Sequence, residues 1–328
     1  MEILLDKNLG ELEEFVVGLG EKKFRAKQLM NCLLLGDELD ECTTLSKAFK
    51  GKLSDYVIQP VKIHKAIKGK NAVKFLYKLC DGNIIEGILM FHNYGNTICI
   101  STQVGCRMGC KFCASTLDGL VRNLSAGEIL GQFVAVNKLM GSGEPLDNYY
   151  NVIKFLKLVT SEQGFNVSKR NISISTCGIA DKIDRLTEDF AGVVLTISLH
   201  TPFQNKREEI MPIAKAYNLD GLLKSVRNYV DKTGRRAVFE YTLIDGVNDS
   251  PKDAEQLRNL TRGLICHINL IPLNYVKERD LKTSKNIEKF KQQLETLGMS
   301  VTVRNSLGSD IDGACGQLRR KYLGENDE

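Results

Sequence analysis

From Asn96 onwards the chain alternates strand-like and helix-like segments, and no other feature restricts its fold as strongly. Strand-like runs fall at 97–102, 172–176, 193–199, 238–243, 265–272 and 301–304. Helical patterns cover 125–138, 147–162, 219–231, 251–262 and 284–297, the last with Ile287, Phe290, Leu294 and Leu297 on one side. Strands separated by helices pair in parallel, because parallel neighbours need a crossover connection. Successive units of this kind close into a full or partial barrel whose chemistry sits at the C-terminal strand ends. The expected class is therefore α/β, a partial (β/α) barrel. One connection breaks the pattern. The helix ending near Lys138 runs into Leu139-Met140-Gly141 with no room for a loop and a strand of about five residues. Either this unit is abbreviated or a segment is missing there, and the spacing favours the second.

Directly after the first strand-like run comes Cys106-Arg107-Met108-Gly109-Cys110-Lys111-Phe112-Cys113, three thiols spaced C-x3-C-x2-C. Thiolates are soft ligands for zinc or iron-sulfur centres, and a short loop can wrap one such centre. The count of three is informative. A cubane has four irons, so three protein thiolates leave one iron open to a substrate, whereas structural zinc takes four protein ligands. A zinc knuckle and plain buried cysteines are the competing readings. C-x3-C is an unusual zinc spacing, and core cysteines rarely crowd one loop beside Arg107 and Lys111, so the cluster is the better reading.

Ahead of the alternating region, residues 8–56 read as three short helices, with Gly20 and Gly36 as stops and Phe49, Leu53 and Tyr56 on one face of the last. Lys22-Lys23-Phe24-Arg25-Ala26-Lys27-Gln28 opens a helix with a basic cluster. Lys62, Lys65, Lys68, Lys70, Lys74 and Lys78 follow with no acid between Val61 and Tyr77, interleaved with Phe75 and Tyr77. Lysines in this pattern suit either the wet face of a small sheet or a phosphate-backbone contact surface. Asp81-Gly82-Asn83 reads as a hairpin turn. The expected organisation is a helical accessory domain at 1–57, a small β region at 58–95, the barrel at 96–307 and a tail at 308–328.

The formal charge of +5 neither demands nor excludes a polyanionic partner. Ten cysteines in a chain of 328 residues, too large to need a disulfide framework, point to a reducing compartment and to chemical use of thiols. Met1-Glu2-Ile3-Leu4-Leu5-Asp6 has no basic leader pattern, and no run reaches the roughly 18 apolar residues of a membrane span. A cytoplasmic protein without a membrane partner is expected, acting as a monomer.

The residues together resemble the RlmN/Cfr family of radical S-adenosylmethionine (SAM) RNA adenine methyltransferases. The resemblance rests on Phe24 to Gln28, Ser101 to Cys113, Gly141-Ser142-Gly143-Glu144-Pro145-Leu146, Ser175-Thr176, Ser198-Leu199-His200, Gly246-Val247-Asn248-Asp249 and Asp310 to Leu318. The short connection before Leu139 departs from the family, which is longer there. The resemblance implies a radical SAM partial barrel, with a [4Fe-4S] cluster on Cys106, Cys110 and Cys113. It places SAM against Gly143, Glu144, Ser175, Ser198, Leu199, His200 and Asn274. The substrates it implies are 23S rRNA at the peptidyl transferase centre and the tRNA anticodon loop, with reducing electrons from a donor such as flavodoxin or ferredoxin.

Physical need agrees with that chemistry. C2 of adenine has no lone pair to attack a sulfonium methyl, so a radical route is required. In the route implied by the resemblance, Cys315 takes a methyl group from one SAM, and a second SAM yields the 5'-deoxyadenosyl radical that activates this methyl. Cys99 would resolve the RNA adduct by forming a disulfide with Cys315, and Glu86 would accept the C2 proton. Pro145 resembles the branch that methylates C2; the branch that methylates C8 carries alanine.

Read without the resemblance, several of these residues stay open. Cys315 lies among Gly313, Ala314 and Gly316, which suits a moving thiol or an incidental tail cysteine. Cys99 is equally a buried strand cysteine, His200 a strand-end histidine and Asn274 a turn former. Glu86 sits in the apolar run 84–90, either on a wet face or with a shifted pKa. Cys32, Cys42, Cys80, Cys177 and Cys266 are assigned to packing. A zinc-stabilised RNA-binding protein without catalysis is the reading from another class.

Overall fold

The structure is a computed structural model, which describes residues 2–92, 95–136, 140–141, 143–273, 281–304, 318 and 322. The chain forms two compact units, one comprising Met1–Val104, Arg122–Ser142 and Tyr150–Val167, the other Gly105–Val121, Gly143–Tyr149 and Ser168–Glu328. No described helix is long and apolar enough to cross a membrane.

The first unit opens with helices α1 (Leu9–Gly18), α2 (Arg25–Leu35) and α3 (Lys47–Lys52). Asn8 starts α1 with a capping box: its side chain accepts from the Glu11 N–H at 2.9 Å, and the Glu11 carboxylate accepts from the Asn8 N–H at 2.7 Å. Ser46 caps α3 through the Phe49 N–H. Leu12, Val16, Leu29, Leu33, Phe49 and Leu53 recur at helical spacing and are fully buried, so these helices share one apolar core. An antiparallel sheet follows, built from β1 (Val61–Lys68), β2 (Ala72–Leu79), β3 (Ile84–His92) and β4 (Gly95–Cys99). Asp81-Gly82-Asn83 makes the β2–β3 turn, where the Asp81 carboxylate accepts from the Asn83 N–H at 3.0 Å.

Two strands differ from the sequence expectation. The run 97–102, expected as the first parallel strand, is represented by β4, which pairs antiparallel with β3 through Ile88↔Cys99. Its two-residue separation from β3 explains this, since so short a link closes a hairpin and cannot make a crossover. β5 (Gln103–Gly105) and β6 (Leu120–Asn123) then flank the cysteine loop, and α4 (Ala126–Val136) leads to β7 (Met140–Gly141). This two-residue strand also joins the antiparallel sheet, through Gly87↔Gly141. The short connection after α4 thus yields a stub where a full βα unit would carry a parallel strand. α5 (Tyr149–Thr160) follows it.

The second unit carries the parallel sheet. Strands β8 (Ser173–Thr176), β9 (Val194–Ser198), β10 (Ala237–Leu243), β11 (Cys266–Pro272) and β12 (Val301–Val303) lie side by side in chain order. Between them run α6 (Ala180–Asp189), α7 (Gln204–Ile210), α8 (Leu219–Thr233), α9 (Pro251–Leu260) and α10 (Ile287–Thr296). Period-two alternation divides the sheet into two faces. Leu195, Ile197, Phe239, Tyr241, Ile268 and Leu270 have no exposed surface, and Tyr241 stacks on Phe290 of α10 at 5.4 Å. Each such side chain contributes about 1.5–3 kcal/mol relative to exposure. The opposite face is polar: register sets Ser198, Glu240, Asn269 and Thr302 in one row across β9 to β12.

Candidate active site

The cysteine loop leaves β5 at Gly105, where no other residue fits. Its φ is +76°, and a Cβ there would stand 2.1 Å from the Gly119 carbonyl oxygen. The loop is closed by the Cys106 N–H, which donates to Gly119 O at 2.8 Å, and by Thr116, whose hydroxyl reaches the carbonyls of Cys110 and Cys113 at 3.1 and 3.0 Å. It docks on the end of α7, with the Lys111 N–H donating to Ile210 O at 3.0 Å. Phe112 packs edge-on against the His200 ring at 4.7 Å.

Cys106 and Cys110 are buried and Cys113 is half-buried. Burial pushes the Cys106 thiol up to about 12 and Cys110 further, and the charges of the three sulfurs act on one another. Cys106 and Cys110, which resist ionisation and feel the charge of Cys113, need a strongly bound cation to become thiolates. That donor set fits an iron-sulfur cluster. Among the described residues no three His, Cys, Asp or Glu side chains converge as ligands of a single metal ion. A fourth thiol, Cys177, feels the charge of Cys110, but hydrogen-bonds Glu144. Its burial at the end of β8 agrees with the packing role read from sequence.

Gly143, expected to meet SAM, has φ +115°, a conformation open to glycine. The Glu144 carboxylate turns inward. It accepts from the Thr176 hydroxyl at 2.7 Å, the Cys177 N–H at 2.7 Å and the Leu146 N–H at 3.0 Å, and burial raises its pKa despite these bonds. Its visible work is to fasten the Gly143-Glu144 turn to the end of β8. Ser175 is on the polar face of β8, where its hydroxyl donates to Glu240 at 3.3 Å. Arg304 reaches the same carboxylate at 3.4 Å.

At the end of β9, His200 is buried with φ +60°, a strained position for a non-glycine residue. Asn248 maintains it. The Asn248 amide donates to His200 O at 2.5 Å and Thr242 O at 2.7 Å, while its oxygen accepts from the Ile244 N–H at 2.8 Å. The His200 Nδ1 accepts from the Thr242 N–H at 3.0 Å, so the ring proton sits on Nε2. Burial, helped by the positive charge of Arg207, holds the imidazole neutral, with a pKa lowered to about 3.

The second unit therefore brings together the three clustered cysteines, Gly143, Glu144, Ser175, Ser198, Leu199 and His200. Asn274 and Cys315 lie outside the described residues. Cys99 and Glu86 belong to the first unit, and register puts both on one face of neighbouring strands: Cys99 opposes Ile88, two residues from Glu86. Lys74 opposes Ile88 from the other side, and its ammonium is 3.5 Å from the Glu86 carboxylate, both side chains buried. This corrects the reading of Lys74 as part of a basic surface; the carboxylate on the next strand draws it inward. Lys65, Lys68, Lys70 and Lys78 are exposed, and exposed Lys62 pairs with Glu38 at 2.7 Å.

One cysteine reading also changes: Cys80 is exposed, whereas Cys32 and Cys42 are buried side by side, their Cα atoms 5.8 Å apart, as packing requires. Sequence reasoning missed Arg207 and gave Asn248, part of a motif, no role, because the work of both depends on carbonyls from other elements. It also missed Glu240, which the polar-apolar alternation of β10 signals.

Residues 100–257 match the family described as the radical SAM superfamily, and residues 3–58 the ribosomal RNA large subunit methyltransferase N-terminal domain. A probable dual-specificity RNA methyltransferase RlmN from Lachnospira eligens is 48% identical, covering 98% of this chain and 97% of that protein. The chain belongs to the RlmN family of radical SAM methyltransferases. A protein of the same description from Clostridium perfringens is also 48% identical, with 98% of each chain covered. A crystal structure of a radical SAM methyltransferase from Sphaerobacter thermophilus superposes with a TM-score of 0.92 at 38% identity, covering 97% of this chain and 99% of that one. The alignment with the Lachnospira protein runs over 340 positions, more than the 328 residues of this chain, so the relative carries residues with no counterpart here. The family-type fold, a radical SAM partial barrel with a small N-terminal helical region, agrees with the sequence expectation. Radical SAM enzymes use a [4Fe-4S] cluster and SAM.

Proposed function

We propose that this protein methylates C2 of adenosine, at position 2503 of 23S rRNA and position 37 of tRNA, through an S-methylcysteine on Cys315 and with two SAM consumed per turnover. The observation that carries this is the near-full-length similarity to RNA methyltransferases described as dual-specificity RlmN, together with a three-thiol loop at the strand ends of a radical SAM sheet. Cys106, Cys110 and Cys113 hold the cluster, which when bound supplies the electron that cleaves SAM. The Gly143 backbone, Ser175, Ser198, Leu199, His200 and Asn274 orient SAM, with Glu144 fixing the turn that carries Gly143. Cys315 carries the methyl carbon to the base, Glu86 accepts the C2 proton, and Cys99 releases the product by forming a disulfide with Cys315.

The burial of Glu86 on the strand face that Cys99 shares, with the Lys74 ammonium 3.5 Å away, supports a role for its carboxylate beside that thiol. Exposed Lys22, Lys23, Lys27, Lys65, Lys68, Lys70 and Lys78 offer phosphate contacts. The enzyme works in the cytoplasm as a monomer, on electrons from a donor such as flavodoxin or ferredoxin. C8 methylation is the second reading, and Pro145 favours C2. Nucleoside analysis of 23S rRNA from a deletion strain tests the assignment: loss of 2-methyladenosine is expected, and loss of 8-methyladenosine would move the protein to the other branch. Mass spectrometry should also find a methyl group on Cys315 in protein made with its three clustered cysteines intact. A methyl elsewhere, or none, removes Cys315 from the carrier role.

A further inference from the structure

Arg207 is the largest fully buried side chain among the described residues. A guanidinium has five N–H donors and a permanent charge, and burying it is costly unless both are matched. Its donors are matched in part. Nε donates to Leu199 O at 3.3 Å, and Nη2 to Cys177 O at 2.6 Å and Ser198 O at 3.2 Å, so Arg207 gathers the carbonyls at the ends of β8 and β9. Nη1 is buried and has no hydrogen-bond partner among the described residues. The charge forms no ion pair with a described carboxylate either.

The ionisable groups within range of that charge are Cys110, Cys177 and His200. Arg207 sits on α7, the helix whose end receives the cysteine loop, through Lys111 N to Ile210 O and the packing of Gly109 against Pro212. A buried cation with unused donors and no carboxylate calls for an anion. A doubly positive cubane core on three thiolates is one, carrying a single net negative charge to which reduction adds a second. We propose that Arg207 is the buried counter-charge of the cluster, donating from Nη1 to sulfur on the Cys110 side and raising the cluster's reduction potential. The proposal rests on Cys106, Cys110 and Cys113 being the cluster ligands. Its physical basis is that the reduced state is the more negative, so a fixed cation and N–H···S bonds favour it.

EPR-monitored redox titration of the reconstituted protein without SAM tests this in wild type, Arg207→Met and Arg207→Lys, with iron and sulfide counted in each. Arg207→Met is expected to keep its cluster while the midpoint falls by about 59 mV or more, a tenfold loss in the one-electron equilibrium. Arg207→Lys, which keeps charge and loses the fork, falls between. An unchanged midpoint with a full cluster overturns the proposal. If SAM affinity alone then drops, Nη1 serves the SAM carboxylate; if the melting temperature alone drops, Arg207 is purely structural. Wild-type protein labelled with 15N-arginine gives a reading that does not depend on a variant folding. Pulsed EPR of its reduced, SAM-free cluster should show an arginine-nitrogen coupling that persists in Arg107→Lys, and absence of that coupling also overturns the proposal. A cluster that survives Cys106→Ala, Cys110→Ala and Cys113→Ala instead sinks the ligand assignment on which the proposal stands.

Discussion

His200 should make the stability of this protein fall with acid over a defined window. Its folded pKa is lowered to about 3 from an ordinary 6.5, because the buried ring cannot be charged cheaply beside Arg207. For a base with a depressed folded pKa, the unfolded chain takes up the proton first. The contribution is therefore fully present above pH 6.5 and is lost as pH falls towards 3. Between pH 7.5 and 5.5 the loss comes to about 1.4 kcal/mol, and over the whole window to about 5 kcal/mol. Asn is the control substitution, since it accepts the positive φ and can take the Thr242 N–H on its side-chain oxygen without titrating. Urea unfolding of wild type and His200→Asn, in the same cluster state at both pH values, cancels every other group. Wild type should lose about 1.4 kcal/mol more than the variant across that interval. Parallel losses would refute the buried, neutral imidazole.

Other outcomes follow from the same interactions. Asn248→Ala strands two carbonyls and one N–H in the interior, each costing about 1–3 kcal/mol, so denaturant titration should show a loss of about 3 kcal/mol or more. Lys74→Met leaves the Glu86 carboxylate buried without its cation and should cost about 3–5 kcal/mol, while the double change Lys74→Met with Glu86→Leu should cost less than the single one. Neutralising Lys65 and Lys68 should flatten the salt dependence of RNA binding, by a slope of about 0.7–0.9 for each phosphate left without its lysine. An unchanged slope in filter binding would remove those lysines from the interface.

The alternating grammar after Asn96 reveals the parallel sheet, because period-two and period-3.6 patterns are local properties. The Asp81-Gly82-Asn83 turn is legible for the same reason. The antiparallel placement of β4 is also present in the sequence, in the two residues that separate it from β3, but its strand-like composition says nothing of direction. The clustered thiols are visible by spacing. Arg207 and Lys74 are not, since arginine and lysine read as surface residues until a partner from another element explains their burial. Leu199, Ser198 and Cys177 supply that partner for Arg207, and Glu86 for Lys74. Asn248 stands out as part of a motif, but its work of holding His200 at positive φ needs three backbone groups 4 to 48 residues away.

The most direct test of the account is an in vitro turnover. Anaerobically reconstituted protein is given SAM, a reductant and unmodified 23S rRNA, and the digested RNA is assayed by mass spectrometry for methylated adenosine. The account predicts 2-methyladenosine with wild type, and none with Cys106→Ala, which lacks the iron and sulfide that wild type binds. A colourless wild-type protein that binds zinc, or 2-methyladenosine formed equally by Cys106→Ala, would contradict it.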